Sequence, residues 1–161
     1  MAVEIFFKLE GVDGESETKG YEKQIEVFSF SQGVSNPSSV ATGGGSGAGK
    51  ADFSSLSIQK QVDMASCKLF ASTAKGTHFG SAILTVREAG GDTPLDFYIL
   101  EFKQVFCDSV SWGGTSGGGK PSESLSFSFE TIKLKYTGQD EKGGKGDKDE
   151  FGWSVKKNTA V

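Results

Sequence analysis

One histidine, two cysteines and a glycine-rich run ending in lysine are the residues whose chemistry must be settled first. His78 is the sole histidine, which removes a histidine-based metal site and most general-base schemes. Cys67 and Cys107 match no nucleophile motif and no metal spacing. Two thiols in 161 residues make no disulfide framework, so they read as small buried or half-buried side chains. Gly44-Gly45-Ser46-Gly47-Ala48-Gly49-Lys50-Ala51 nearly spells a phosphate-binding loop. The residue after the lysine must carry a hydroxyl to hold Mg²⁺, and Ala51 has none. Such a loop also follows a buried strand and opens a helix, whereas here polar residues precede it and alternating ones follow. No catalytic residue, metal site or cofactor is expected.

The charge pattern excludes further classes. Asp140 to Glu150 mixes acids with lysines and lacks the ligand spacing and central glycine of a calcium loop. A net charge of −4 supplies no basic footprint for nucleic acid. No run reaches the ~18 apolar residues of a membrane span. The apolar start is broken by Glu4 and Lys8 and does not read as a signal peptide, so composition points to the cytoplasm.

The elements that position these residues are mostly strands. Hydrophobic residues make up 35% of the chain, with 23 Gly, 13 Phe and only 3 Pro, the composition of glycine-rich turns between strands. Period-two alternation predicts strands over Val3–Leu9, Ile25–Gln32, Phe53–Lys60, Ile83–Arg87 and Asp96–Trp112, the last long enough to bend. Leu125 to Leu134 and Phe151 to Val155 follow the same rule. Phe28, Phe30, Leu125, Phe127 and Phe129 are expected to fill the core, with Ser29, Ser31, Ser126 and Ser128 on the opposite faces. One helix is expected over Met64–Lys75, capped by Asp63 and ended by Gly76, with Met64, Cys67, Phe70, Ala71 and Ala74 as its apolar stripe. The fold class is therefore all-β, a closed or nearly closed β-barrel or sandwich with one short side helix, in a single domain over residues 1–161. Two long loops, Gly33 to Lys50 and Thr137 to Glu150, exceed the usual connection length.

Several ordered segments resemble one family. Met1-Ala2-Val3-Glu4-Ile5-Phe6-Phe7-Lys8 and Gly11-Val12-Asp13-Gly14-Glu15-Ser16 are similar to the opening of Hcp proteins, the haemolysin-coregulated tube proteins of type VI secretion. The Gly43 to Lys50 loop, Gly76-Thr77-His78-Phe79, Leu84 to Gly91, Val110 to Gly114 and Phe151-Gly152-Trp153-Ser154 continue the resemblance to the C-terminal end. It implies a non-enzymatic protomer of a homohexameric ring with an open centre. Such rings stack into a tube inside contractile sheath proteins, beneath a trimeric spike, and carry small secreted effectors. It also implies export from the bacterial cytoplasm by contraction, without a signal peptide.

On that resemblance, the serine faces become candidates for the lumen, with Ser29 and Ser31 as cargo-facing residues. Gly43, Gly44, Gly45, Ser46, Gly47, Ala48, Gly49 and Lys50 are candidates for ring stacking. Arg87, Gly90 and Gly91 form a second candidate rim. Two other readings remain open at this point. A contractile phage-like tail-tube protein would share the architecture. A β-sandwich ligand-binding module would use Trp112 and Trp153 around a shallow site.

Overall fold

The computed structural model describes residues 2–37, 49–90, 93–142 and 144–161. The first half contributes β1 (Val3–Leu9), β2 (Ile25–Val27), β3 (Ser29–Ser31), β4 (Val34–Ser35), β5 (Asp52–Phe53), β6 (Leu56–Gln61) and the helix α1 (Ser66–Lys75). The second half is longer in every strand but the last: β7 (His78–Glu88), β8 (Asp96–Gly113), β9 (Ser122–Gln139), β10 (Lys145–Ser154) and β11 (Thr159–Ala160). All pairings are antiparallel, and β8 with β9 forms the longest ladder.

The ladder path runs β2-β1-β7-β8-β9-β6-β3, with β10 and β11 extending from the second half of β9. The sheet is not closed by a ladder between β2 and β3. Instead these are consecutive pieces of one segment that leaves β1 and joins β6, so the barrel is nearly closed by chain continuity. The handover falls at Phe28, whose N–H donates to Gln59 O at 2.8 Å. It also inverts the alternation: Ile25 and Val27 face the core before it, and Phe30 after it. Phe28 is 64% exposed, which corrects its expected place in the core. Leu125 and Phe127 are buried as expected, while Phe30 and Phe129 pack half-buried against the cluster.

β8 and β9 bend together. Core-facing residues are Leu100 and Phe102 before the bend in β8, and Val105 and Cys107 after it. Gln104 sits at the turn-over with φ 52°, and Thr131↔Lys103 and Phe129↔Val105 keep register on either side. Phe7, Phe102 and Phe127 are almost fully buried at the centre, with Phe7 and Phe127 ring centroids 5.2 Å apart. Each buried Phe contributes about 1.5–3 kcal/mol. Phe6, on the far face of β1, is buried too, because Tyr21 stacks on it at 4.6 Å. The 10–24 connection that brings Tyr21 there is held by Gly14 N–H to Lys23 O at 2.7 Å. A Cβ on Gly14 would fall 2.4 Å from Gln24 O, so only glycine fits that approach.

Two other expectations need correction. The helix buries Ala65, Ser66, Leu69 and Ser72, while Met64, Cys67 and Phe70 of the expected stripe point outward. The core selects the face carrying Leu69, and Phe70 instead stacks on Trp112 at 5.4 Å. Helix α1 starts two residues later than expected. Asp63 still caps the approach, accepting from Ala65 N–H at 2.9 Å, and Gly76 ends the helix in the left-handed region at φ 75°. The charged stretch before Phe151 is mainly a β-hairpin, since β9 runs to Gln139 and β10 starts at Lys145. Its Glu150 pairs across to Lys133 of β9 at 3.2 Å, while the backbone forms the β9–β10 ladder with one irregularity between Lys145 and Lys148.

Candidate functional site, a hydroxyl-lined sheet face

Alternation on β3, β6, β9 and the second half of β8 sends Phe30, Ile58, Leu125 and Val110 inward. Their neighbours stand on the other face, and register aligns them. One row reads Ser29↔Gln59, Gln59↔Ser124 and Ser124↔Ser111; the next reads Ser31↔Ser57, Ser57↔Ser126 and Ser126↔Ser109. Eight small or amide side chains from four strands thus form a contiguous, uncharged surface. Ser29, Ser31, Gln59, Ser109 and Ser111 are exposed. Ser124 Oγ donates to Gln59 Oε1 at 2.9 Å, and Ser128 Oγ donates to Asp108 Oδ1 at 2.9 Å at the lower margin. Hydroxyls both donate and accept, so such a surface holds water and offers little apolar area to a passing chain.

This four-stranded face ends in two unpaired edges. Among the described residues, β3 pairs with β6 alone, and residues 109–113 of β8 pair with β9 alone. An exposed edge is a template for another chain.

The other candidate residues lie apart from this face. Of the glycine-rich loop, Gly43, Gly44, Gly45, Ser46, Gly47 and Ala48 lie outside the described residues, as does Gly91. Gly49 and Lys50 are exposed on the stem. The two legs of the stem are joined by Gly49 N–H to Pro37 O at 3.0 Å and by the Val34↔Phe53 and Ser35↔Asp52 pairs. The stem leaves directly from β3 and β6. Arg87 is drawn inward: its Nε lies 3.4 Å from Glu4 Oε2 and its guanidinium sits 5.0 Å over the Tyr21 ring. The Tyr21 hydroxyl donates to the Asp96 carboxylate. Partial burial, then that bond and charge, push the phenol up to about 12. Gly90 is exposed with φ 86°.

Among the described residues this arrangement pairs no nucleophile with a base. His78 packs against Phe106 with the rings tilted and their centroids 4.9 Å apart. Cys107 is buried and Cys67 exposed, both as free thiols; burial raises the Cys107 pKa. Among the described residues no group of three His, Cys, Asp or Glu is placed to hold a metal ion. No helix among the described residues is long and apolar enough to cross a membrane.

One cluster escaped the sequence reading. Lys60 and Glu123 are both completely buried under α1, and Asp63 and Ser66 close the group. The available signal was parity: Lys60 continues the inward face of Leu56 and Ile58, and Glu123 that of Leu125 and Phe127.

Comparison with known proteins places this geometry. A family model described as Type VI secretion system effector, Hcp, matches residues 6–136. Protein hcp1 of Pseudomonas aeruginosa is 35% identical over 159 residues, covering 98% of each chain. A solved type six secretion system protein superposes with a TM-score of 0.93 at 33% identity, over 99% of this chain and 100% of that one. Hcp1 of Salmonella typhimurium follows with a TM-score of 0.82 at 31% identity, over 100% of both chains.

Proposed function

The chain belongs to the Hcp family of type VI secretion tube proteins, and from that premise we propose that it acts by assembly, as a single domain and without catalysis. Copies join head-to-tail into a homohexameric ring, and rings stack into a tube within the contractile sheath proteins and beneath the trimeric spike. Small secreted effectors ride in the lumen, and the protein leaves the bacterial cytoplasm with them on contraction.

The observation that carries this reading is the pair of hydroxyl rows lying between two unpaired strand edges. Repetition of the protomer edge to edge satisfies both edges, and a heterologous contact that closes on itself ends growth at a fixed number. Such a ring turns one sheet face to a common centre. That face is the uncharged Ser29–Ser31 side, suited to transient contact with folded cargo. Ring stacking is assigned to Gly43 to Lys50, a reading supported by the described stem, which leaves beside β3. Arg87 contributes less to a rim than Gly90 and Gly91, because Glu4 and Tyr21 engage it within the protomer.

Light scattering after gel filtration tests the assembly. A mass near six protomers of 17.0 kDa is expected, and a monomer at every concentration overturns it. Ser31→Gln then tests the lumen: the ring should persist while co-purification of effectors falls. An intact ring that retains cargo equally well removes Ser31 from the lumen.

A further inference from the structure

Among the described residues, two apolar patches remain uncovered, one behind each edge of the hydroxyl-lined sheet. Behind the β8 edge, on the side away from the serines, Met64 is 70%, Phe70 54% and Trp112 47% exposed. Phe70 and Trp112 stack, and Trp112 Nε1 is fixed by a 2.8 Å bond to Glu123 Oε2. This is a rigid projection. Behind the β3 edge, the inward face of the β8–β9–β10 sheet runs on past the core with no covering layer among the described residues. There Phe151 is 63%, Val34 59% and Leu134 38% exposed. With the β4–β5 hairpin they bound a groove of about 380 Å³ whose wall also includes buried Leu100 and Ile132.

We infer that these two patches are the two halves of one contact between copies of this chain, the Phe70–Trp112 projection of one protomer seating in the Phe151–Leu134–Val34 groove of the next. The inference deepens the ring reading and rests on it. The occupant is a second copy because of where the patches lie. They flank opposite edges of the same four-stranded face, both on its non-serine side. Any edge-to-edge repetition of that face brings one patch of each protomer towards the other patch of its neighbour, outside the lumen. Their sizes also agree. Each exposes on the order of 300–400 Å² of apolar side chain, taking about 150–250 Å² for a large aromatic. That is close to half of the ~800 Å² a partner contributes to a stable interface, with the strand edges left to supply the rest. A projection and a groove are different shapes, so the contact is heterologous, as a ring requires.

The test uses Phe70→Glu and Phe151→Glu in the full chain, with circular dichroism to confirm the fold. Both side chains are exposed in the protomer, so secondary structure should be unchanged. Each variant should lower the scattering mass from the ring to a monomer, a sixfold loss. A second measurement does not depend on losing assembly. Phe151→Cys in the otherwise native protein, treated with a short bismaleimide, should join to the neighbour's Cys67 and give a ladder of covalent oligomers up to six. The same treatment of Cys67→Ser/Phe151→Cys should leave monomers. Rings that persist in both glutamate variants, together with no ladder, overturn the pairing while leaving the ring reading intact. A native protein that is monomeric throughout overturns the ring reading, and the pairing with it.

Discussion

Lys60 Nζ lies 2.8 Å from Glu123 Oε1, and neither side chain has any exposure to solvent. The ammonium has three N–H donors, directed at Asp63 Oδ1 (2.7 Å), Gln61 O (3.1 Å) and Ser66 Oγ (3.4 Å). Glu123 Oε1 therefore receives the charge without an aligned hydrogen bond of its own, and its other oxygen is held by Trp112. The cluster ties the end of β6, the start of α1 and the edge of β8 into one unit.

Removing one partner leaves a buried charge without compensation. Lys60→Met should cost about 3–5 kcal/mol in denaturant unfolding, and Lys60→Met/Glu123→Leu should recover much of it. A loss below about 1 kcal/mol for the single variant would mean that water reaches the site.

Tyr21 should be the last tyrosine to ionise. Its phenol is raised from 10.0 to about 12, so the folded protein keeps a proton that the unfolded chain has lost. Its contribution to stability is fully present below pH 10 and is lost as pH rises towards 12. Tyr21→Phe should flatten that decline, and near-ultraviolet titration should show the last phenolate step disappear. An unchanged alkaline slope would contradict the assignment.

Cys107 should stay unlabelled by thiol reagents in the folded protein. It is buried, accepts no access from solvent, and burial raises its pKa, so the reactive thiolate is scarce. Mass spectrometry of tryptic fragments should find label on Cys107 only after unfolding. Labelling at native conditions would show that α1 opens locally.

Most of the strand pattern was legible because period two is a local property. β1, β6 and the long bent β8 follow directly from alternation, and so does the serine face. The errors fall where partners change. Phe28 looks like a core residue when counted back from Phe30, yet it sits where the segment transfers from β1 to β6 and the parity inverts. On the helix, two stripes competed, and the aromatic one lost to Ala65 and Leu69 because only that face meets the barrel. The charged hairpin was hidden because lysine and glutamate mark solvated side chains and say little about the backbone beneath. Lys60 and Glu123 were passed over for the opposite reason, their charge having outweighed their inward parity. Neither unpaired edge was visible at all, since an edge is defined by the absence of a partner distant in sequence.

The continuity of β8 and β9 through the bend at Gln104 has a mechanical meaning. Strands paired along their length and pulled along their axes load many hydrogen bonds in shear at once, whereas a peeled edge breaks them singly. In this protein the same two strands underlie the hydroxyl face and the apolar groove. A thrust delivered at one end of the protomer would reach the other through backbone, without depending on side-chain packing. The protomer is thereby stiff along the shared direction of β8 and β9.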